Sequence, residues 1–101
     1  MANFVKVASV NDLKSGEGKA FNVSDREVAV FNCEGKFYAV DNVCPHAGGP
    51  LSEGQLDGSV VTCPWHGWRF DVCSGVSPMN PAAKIPKYEV KVEGTDILVA
   101  V

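Results

Sequence analysis

The sequence lacks the features of membrane, secreted and nucleic-acid-binding proteins. Its 101 residues contain no apolar run near the roughly 18 residues that a membrane helix needs. No positively charged segment precedes an apolar stretch at the N-terminus, so no secretory signal is predicted and we expect a cytoplasmic protein with reduced thiols. A net charge of −3, with no basic stripe, argues against nucleic acid as a partner. The chain has no repeat and no linker, and its length predicts a single domain, residues 1–101.

Histidine is also scarce, and the two histidines of the chain each stand beside a cysteine. The two short runs are Cys44-Pro45-His46 and Cys63-Pro64-Trp65-His66. Sixteen residues, 47–62, separate the runs, and several glycines and a proline in this segment predict turns. In a cytoplasmic protein, paired Cys/His runs indicate a metal site.

The rest of the sequence has the pattern of short β-strands joined by turns. A helical turn is predicted after Ser9, with Asp12 as its capping partner. Glu34-Gly35 and Asp57-Gly58 are predicted as two-residue hairpin turns. The predicted strands are 4–7, 20–23, 27–33, 36–40, 55–56, 59–62, 69–72, 76–77, 88–92 and 97–101. We therefore predict an all-β fold of small antiparallel sheets, a sandwich or partial barrel, with both Cys/His runs on hairpin loops.

Three kinds of site could use these four side chains. Structural zinc accepts two thiolates and two imidazoles, although zinc modules usually group like ligands or use Cys-x-x-Cys knuckles. A disulfide between Cys44 and Cys63 would leave both histidines unexplained. A 2Fe–2S cluster with two Cys on one iron and two His on the other uses all four residues.

The two runs and their flanks resemble both halves of the Rieske signature. The matching segments are Cys44-Pro45-His46-Ala47-Gly48-Gly49-Pro50-Leu51 and Cys63-Pro64-Trp65-His66-Gly67-Trp68-Arg69-Phe70-Asp71. The resemblance extends from Phe4 to Val101 and implies a Rieske-like fold, with a loop-built cluster-binding subdomain at about 43–81 and one 2Fe–2S cluster. By the same resemblance, Cys44 and Cys63 bind one iron, and His46 and His66 bind the other.

The resemblance also implies a function in electron transfer. The chain is similar to the soluble ferredoxin component of bacterial ring-hydroxylating dioxygenase systems, which serve aromatic hydrocarbon catabolism. The implied partners are a flavoprotein or other ferredoxin reductase and a terminal oxygenase, and we expect a monomer or weak oligomer without a catalytic site of its own. Two alternatives stay open: the small Rieske-like subunit of an assimilatory nitrite reductase, and a structural zinc-binding module.

Four positions differ from the high-potential respiratory members of that family. Gly49 and Trp65 stand where those members have a disulfide between the loops. Trp68 and Phe70 stand where they place Ser and Tyr hydroxyls near the cluster. Because fewer hydrogen bonds to the cluster sulfurs stabilise the reduced state less, we predict a reduction potential in the lower part of the Rieske range.

The remaining candidate residues have more modest predictions. Three glycines are predicted to let the backbone approach the cluster closely: Gly48, Gly49 and Gly67. Pro78 and Pro81 are candidates for the family's third loop, which covers the cluster. Cys33 is predicted to pack on one face of its strand, and Cys73 is predicted to be a free thiol.

Overall fold

The all-β prediction is confirmed by the computed structural model, which describes residues 4–23, 25–43, 49–65, 67–79 and 83–100. Within these ranges the chain forms ten strands: β1 (Phe4–Ser9), β2 (Gly18–Val23), β3 (Arg26–Cys33), β4 (Lys36–Asp41), β5 (Gln55–Asp57), β6 (Val60–Thr62), β7 (Arg69–Asp71), β8 (Lys87–Tyr88), β9 (Val90–Glu93) and β10 (Asp96–Ala100). The helical elements of the same ranges are two single turns of 3₁₀-helix, Val10–Asp12 and Leu51–Glu53. No helix of the described residues is long and apolar enough to cross a membrane.

The predicted N-terminal helical turn is the 3₁₀-helix Val10–Asp12. The backbone N–H of Ser9 donates to Asp12 Oδ2 at 3.0 Å, and the N–H of Asn11 donates to Ser9 Oγ at 3.3 Å. These two bonds satisfy backbone donors at the start of the turn, and they are the bonds that the predicted Ser9/Asp12 capping pattern implies.

The strands form three antiparallel sheets. The first sheet has the order β1-β10-β9, the central sheet β2-β3-β4-β8 and the small sheet β5-β6-β7. One face of the central sheet shares a core with the first sheet, and the other face shares a core with the small sheet. The small sheet therefore packs against one face of the central sheet.

Strand β3 serves both cores because successive side chains of a strand point to opposite faces. Val28 and Val30 are buried against the first sheet, and Ala29 and Phe31 are buried against the small sheet. Burial of a Val or Phe side chain such as Val28, Val30 or Phe31 stabilises the fold by roughly 1.5–3 kcal/mol. Burial on both faces explains why residues 28–31 form a continuous apolar run instead of an alternating one.

The first predicted hairpin turn is confirmed, and the second lies one residue later than predicted. Glu34-Gly35 joins β3 to β4 with positive φ at both residues, 55° and 90°, as a type I′ turn requires. In the small sheet Asp57 pairs with Val60, so the turn residues are Gly58-Ser59. Positive φ occurs there at Gly58 alone, which is the type II′ pattern and shifts the turn by one position.

Two strand predictions in the C-terminal third need correction. Residues 88–92 form two strands, because β8 pairs with β4 of the central sheet and β9 pairs with β10 of the first sheet. The chain changes sheets at Glu89, whose carbonyl accepts from the N–H of Ala100 at 2.9 Å. Residues 76–77 contribute an isolated bridge, Val76 to Lys84, instead of a strand. Pro78 and Pro86 lie outside the strands, as predicted, while Pro81 lies outside the described residues.

Candidate metal centre

Of the four predicted ligands, Cys63 is the one within the described residues. Its side chain is 1% exposed and belongs to the core shared by the central and small sheets. Cys44, His46 and His66 lie outside the described residues, as does Gly48. Within the described ranges no group of three or more His, Cys, Asp or Glu side chains could hold a metal ion. The geometry of the site is therefore that of Cys63 and of the backbone at the base of each loop.

The second predicted ligand loop is closed by backbone hydrogen bonds between β6 and β7. Thr62 and Arg69 are the last paired residues of the two strands. Directly beyond them, the N–H of Cys63 donates to the carbonyl of Trp68 at 2.7 Å. The N–H of Gly67 donates to the carbonyl of Cys63 at 3.1 Å, with Gly67 at a φ of 74°. A left-handed residue is needed for this tight return, and glycine adopts it without the usual steric cost.

Backbone contacts hold the two ends of the first predicted ligand loop together. Val43 and Pro50 form an antiparallel bridge at its base. The N–H of Leu51 donates to the carbonyl of Asn42 at 2.8 Å, and the 3₁₀-helix Leu51–Glu53 follows. The two ends of the loop are thereby held side by side at the end of β4.

The Asn42 side chain adds a second closure to the first loop, which the sequence did not predict. Its amide nitrogen donates to Glu27 Oε2 at 2.7 Å, and its amide oxygen accepts from the N–H of Ser52 at 2.8 Å. Asn42 is 2% exposed. A polar residue directly after an apolar strand and two positions before a cysteine was the available signal, but its partners could not be read from the sequence.

The two loops approach each other at Gly49, while the predicted approach of this backbone to the cluster stays a prediction. A Cβ atom on Gly49 would lie 2.9 Å from Cys63 Sγ and 3.0 Å from Cγ of Trp65. Hydrogen is therefore the largest substituent that fits between the backbone of the first loop and the thiol of the second. Cys63 is buried among the apolar side chains of this core, and cysteine sulfur is the donor by which proteins hold iron–sulfur clusters. The chemistry of this buried donor fits an iron–sulfur cluster.

The segment predicted as a third loop begins beside the small sheet. The N–H of Ser77 donates to the carbonyl of Ala83 at 2.9 Å, and the N–H of Met79 donates to Ser77 Oγ at 3.2 Å. Pro78 lies with Thr62 and Arg69 along a groove of about 470 Å³ on the outer face of that sheet. The start of this segment therefore adjoins the base of the second loop.

The two cysteines that are not predicted ligands are Cys33 and Cys73. Cys33 packs at the edge of the same core, as predicted, and burial raises the pKa of its thiol, with further raising contributions from nearby Asp71 and Cys73. Cys73 is exposed and free, and a hydrogen bond with it is the main cause of the raised pKa of Tyr38. Lys87 Nζ donates to the carbonyl of Cys73 at 3.2 Å.

Comparison with known proteins identifies the family. The family model of the Rieske [2Fe-2S] domain matches residues 3–99. The chain is 36% identical over 97 residues to the ferredoxin component of the naphthalene 1,2-dioxygenase/salicylate 5-hydroxylase systems of a Ralstonia species, covering 95% of this chain and 93% of that protein. The solved ferredoxin of carbazole 1,9a-dioxygenase from Nocardioides aromaticivorans IC177 superposes with a TM-score of 0.90 at 38% identity, covering 97% of each chain.

Two further solved structures bear on the partners. A complex of reduced oxygenase and oxidised ferredoxin in carbazole 1,9a-dioxygenase contains a chain with a TM-score of 0.88 at 35% identity, covering 96% of this chain and 92% of that one. A candidate NADH-dependent nitrite reductase small subunit from Mycobacterium tuberculosis has a TM-score of 0.92 at 26% identity, covering 100% of this chain and 96% of that one. Every one of these similarities spans nearly the whole length of both chains. The chain therefore belongs to the Rieske [2Fe-2S] domain family, and its cofactor is a Rieske 2Fe–2S cluster.

Proposed function

We propose that this protein is the ferredoxin component of a multicomponent oxygenase system, which accepts one electron from a reductase and passes it to a terminal oxygenase. The naphthalene and carbazole ferredoxins to which it is similar support this role, as does the solved complex of such a ferredoxin with its oxygenase. A flavoprotein or another ferredoxin reductase is the proposed donor. Aromatic hydrocarbon catabolism is the proposed context.

The proposed ligands are Cys44 and Cys63 for one iron and His46 and His66 for the other. When bound, the cluster supplies a one-electron redox centre. The chain's own part is to hold the thiol of Cys63 in an apolar core and to bring the two loops into contact at Gly49. We also propose that residues 43–81 form a cluster-binding subdomain within a single domain of residues 1–101, since the whole small sheet lies in this segment.

The observation that carries the proposal is the change in exposure along the second loop. Cys63 is 1% exposed, whereas Trp65, two residues later, is 60% exposed. A buried ligand thiol thus lies directly beneath a loop that reaches the surface. A partner docking on this loop would approach the proposed cluster while water stays away from the thiol. Redox complexes of this kind bind through small, transient interfaces.

The oxidation of substrate belongs to the partner in this proposal. A mononuclear iron site of the oxygenase type would need two further histidines and a carboxylate. The chain has two histidines in all, and both are proposed cluster ligands. We therefore propose an electron carrier without a catalytic site. We also propose a cytoplasmic location, which the free thiols of Cys33 and Cys73 support.

Spectroscopy of the purified protein and of ligand variants tests the proposal. We expect a red-brown protein with a rhombic EPR signal after reduction, reoxidation of its own cluster on addition of oxidised oxygenase, and loss of iron in Cys44→Ala. His66→Cys should keep a cluster at a lower potential, because a third thiolate adds negative ligand charge, which disfavours the added electron. Cys33→Ala and Cys73→Ala are matched controls that should keep full iron. A colourless zinc protein, or full iron in Cys44→Ala, would overturn the ligand assignment.

A nitrite reductase small subunit is the second candidate, because such a protein shares the fold over the full length of this chain. The two functions differ in the strength of their main contact. A subunit co-purifies stoichiometrically with a large catalytic chain, whereas a ferredoxin exchanges between donor and acceptor. Affinity purification of the tagged protein from its own cells distinguishes them. Stable recovery with a large nitrite-reducing subunit would favour this second candidate over the ferredoxin role.

A further inference from the structure

We propose that Asn42 is a positioning residue for the metal centre, because its side chain fixes the base of the first ligand loop to the central sheet. The inference rests on the proposed function, since it takes Cys44 and His46 as cluster ligands. In this proposal Asn42, which is not itself a ligand, stabilises the arrangement of Cys44 and His46. Asn42 lies one residue beyond β4 and two residues before Cys44.

Every polar group of Asn42 is used, and the bonds run in two directions. Toward the central sheet, its N–H donates to the carbonyl of Glu27 at 3.0 Å, and its amide nitrogen donates to Glu27 Oε2 at 2.7 Å. Toward the far end of the loop, its carbonyl accepts from the N–H of Leu51 and its amide oxygen from the N–H of Ser52, both at 2.8 Å. Asn42 therefore joins β3 to both ends of the first loop.

Asparagine meets a requirement here that other residues of its size do not. The position needs a donor for the Glu27 carboxylate and an acceptor for the Ser52 N–H in one short side chain. Aspartate would place a second carboxylate against Glu27 and lose the donor. Leucine would leave both partners without their bond, one of them a backbone N–H, at a position where Asn42 is shielded from water.

The hydrogen bonds at Asn42 connect to the second loop through Leu51 and Gly49. Leu51 is fully buried in the same core as Cys63, and a Cβ on Gly49 would lie 2.9 Å from Cys63 Sγ. Residues 49–52 are thus held on one side by Asn42 and rest on the other side against the thiol of the second loop. Loosening the Asn42 bonds would let the first loop shift relative to Cys63, so the relative placement of the two ligand pairs would change.

Asn32 provides a matched control inside the same protein. It is also buried, at 7% exposure, and its side chain also bonds in two directions. Its amide nitrogen donates to the carbonyl of Leu13 at 2.8 Å, and its amide oxygen accepts from the N–H of Gly35 at 2.8 Å. Asn32 thereby supports the β3–β4 hairpin, away from the predicted ligand loops. A role in fold stability alone predicts the same behaviour for both asparagines.

The experiment compares Asn42→Leu with Asn32→Leu in the cluster-loaded protein. We measure denaturant unfolding, the reduction potential, the EPR g-values of the reduced protein, and the rate of iron release to a chelator under native conditions. Both variants should be destabilised. Asn42→Leu alone should shift the g-values and the potential, and it should release iron at least tenfold faster than Asn32→Leu. Equal release rates with unchanged g-values in both variants would overturn the proposal.

Variants of Glu27 keep the test decisive if Asn42→Leu does not fold. Glu27 is exposed, so its substitution spares the core. Glu27→Ala removes one acceptor of Asn42 and should release iron several-fold faster, whereas Glu27→Gln retains an acceptor oxygen and should restore a rate near that of the original protein. If Glu27→Ala behaves like Glu27→Gln, the proposal fails. If the unsubstituted protein showed no Rieske EPR signal after reduction, that result would instead contradict the proposed function itself.

Discussion

The two loops that carry the proposed ligands are closed by different kinds of hydrogen bond. The first is closed partly by the side chain of Asn42, whose partner Glu27 stands 15 positions earlier in the chain. The second is closed by backbone groups of Cys63, Gly67 and Trp68 within one hairpin. The second closure therefore forms wherever the β6–β7 hairpin forms, whereas the first also requires β3 to be in place.

The two loops approach each other at two glycines of the first loop, where the backbone itself packs against the second loop or the residue before it. Gly49 of the first loop faces the thiol of Cys63. Gly54, which follows the 3₁₀-helix Leu51–Glu53, faces the backbone of Thr62 directly before Cys63. The local and the non-local closure thus meet at two glycines, one against the thiol of Cys63 and one against the backbone of Thr62, and substitutions at these glycines should have the largest effects.

Gly54→Ala should be the most damaging single substitution. Its Cβ would overlap the carbonyl oxygen of Thr62, a backbone atom paired within the small sheet. Gly54 has an ordinary φ of −76°, so the effect isolates this contact from backbone strain. We expect the free energy of unfolding to fall by about 3 kcal/mol or more, with loss of bound iron, as measured by denaturant titration and iron analysis. Gly94→Ala is a control for strain without a clash: at a φ of 61° on the β9–β10 hairpin its Cβ would meet no described atom within 4 Å, and it should lose only about 1–2 kcal/mol. If Gly54→Ala and Gly94→Ala had the same free energy of unfolding, the close packing of Gly54 against the Thr62 carbonyl would not matter for the fold.

Gly49→Ala should affect the metal centre more than the fold. Its Cβ would lie 2.9 Å from Cys63 Sγ, and the buried thiol has no room to move, whereas the exposed indole of Trp65 can swing away. We expect about 1–2 kcal/mol of destabilisation, together with a clear drop in iron and sulfide per chain. The double variant Gly49→Ala with Trp65→Ala distinguishes the two contacts. Restored iron content in the double variant would mean that Trp65, and not Cys63, is the critical neighbour.

Gly67→Ala should be milder and should test whether the second closure is purely local. Gly67 and Gly94 both have positive φ, 74° and 61°, and a Cβ on either would meet no atom of the described residues within 4 Å. Left-handed backbone costs a non-glycine residue about 1–2 kcal/mol. We expect Gly67→Ala and Gly94→Ala to lower the free energy of unfolding equally in matched denaturation experiments. A clearly larger loss for Gly67→Ala would mean that the second loop also depends on contacts outside its hairpin.

The same contrast between local and non-local interactions explains what the sequence could predict. The Glu34-Gly35 turn and the Ser9 capping pattern depend on neighbouring residues, and both predictions are confirmed. The predicted strand 88–92 is wrong as a single element, because its two halves pair with strands of different sheets. The turn at Gly58-Ser59 was misplaced by one residue because Asp-Gly favours type I′, whereas the register of β5 and β6 selects type II′.

The candidate site shows the same division. The ligand residues were predicted from their types and spacing, and the family assignment supports the cluster itself. The closure by Asn42 was missed, because nothing near Asn42 in the sequence indicates that Glu27 and Ser52 will flank it. Its pairing depends on the docking of β3 beside β4, which is a property of the whole sheet.

Asp41→Asn should have the smallest effect and should show an electrostatic component at the base of the first loop. Burial raises the pKa of the Asp41 carboxyl above its ordinary value of 3.8; Arg26 counteracts this and Glu27 adds to it. A raised pKa in the folded state means that Asp41 favours folding when protonated, below pH 3.8, and that this contribution is lost as the pH rises through the folded-state pKa. At pH 7 the ionised carboxylate therefore weakens the fold.

Replacing Asp41 by asparagine removes that penalty, so the variant should be more stable than the original protein at pH 7. The gain should be well below 1 kcal/mol, because the carboxyl is partly exposed and solvent screens it. The difference between the two proteins should shrink as the pH falls through the folded-state pKa, and its electrostatic part should vanish well below pH 3.8, where the Asp41 carboxyl is protonated in both the folded and the unfolded protein. Denaturant unfolding of both proteins across this range measures the difference. A difference that stays constant with pH would assign the effect to packing or hydrogen bonding of the side chain at position 41 and not to the charge of Asp41.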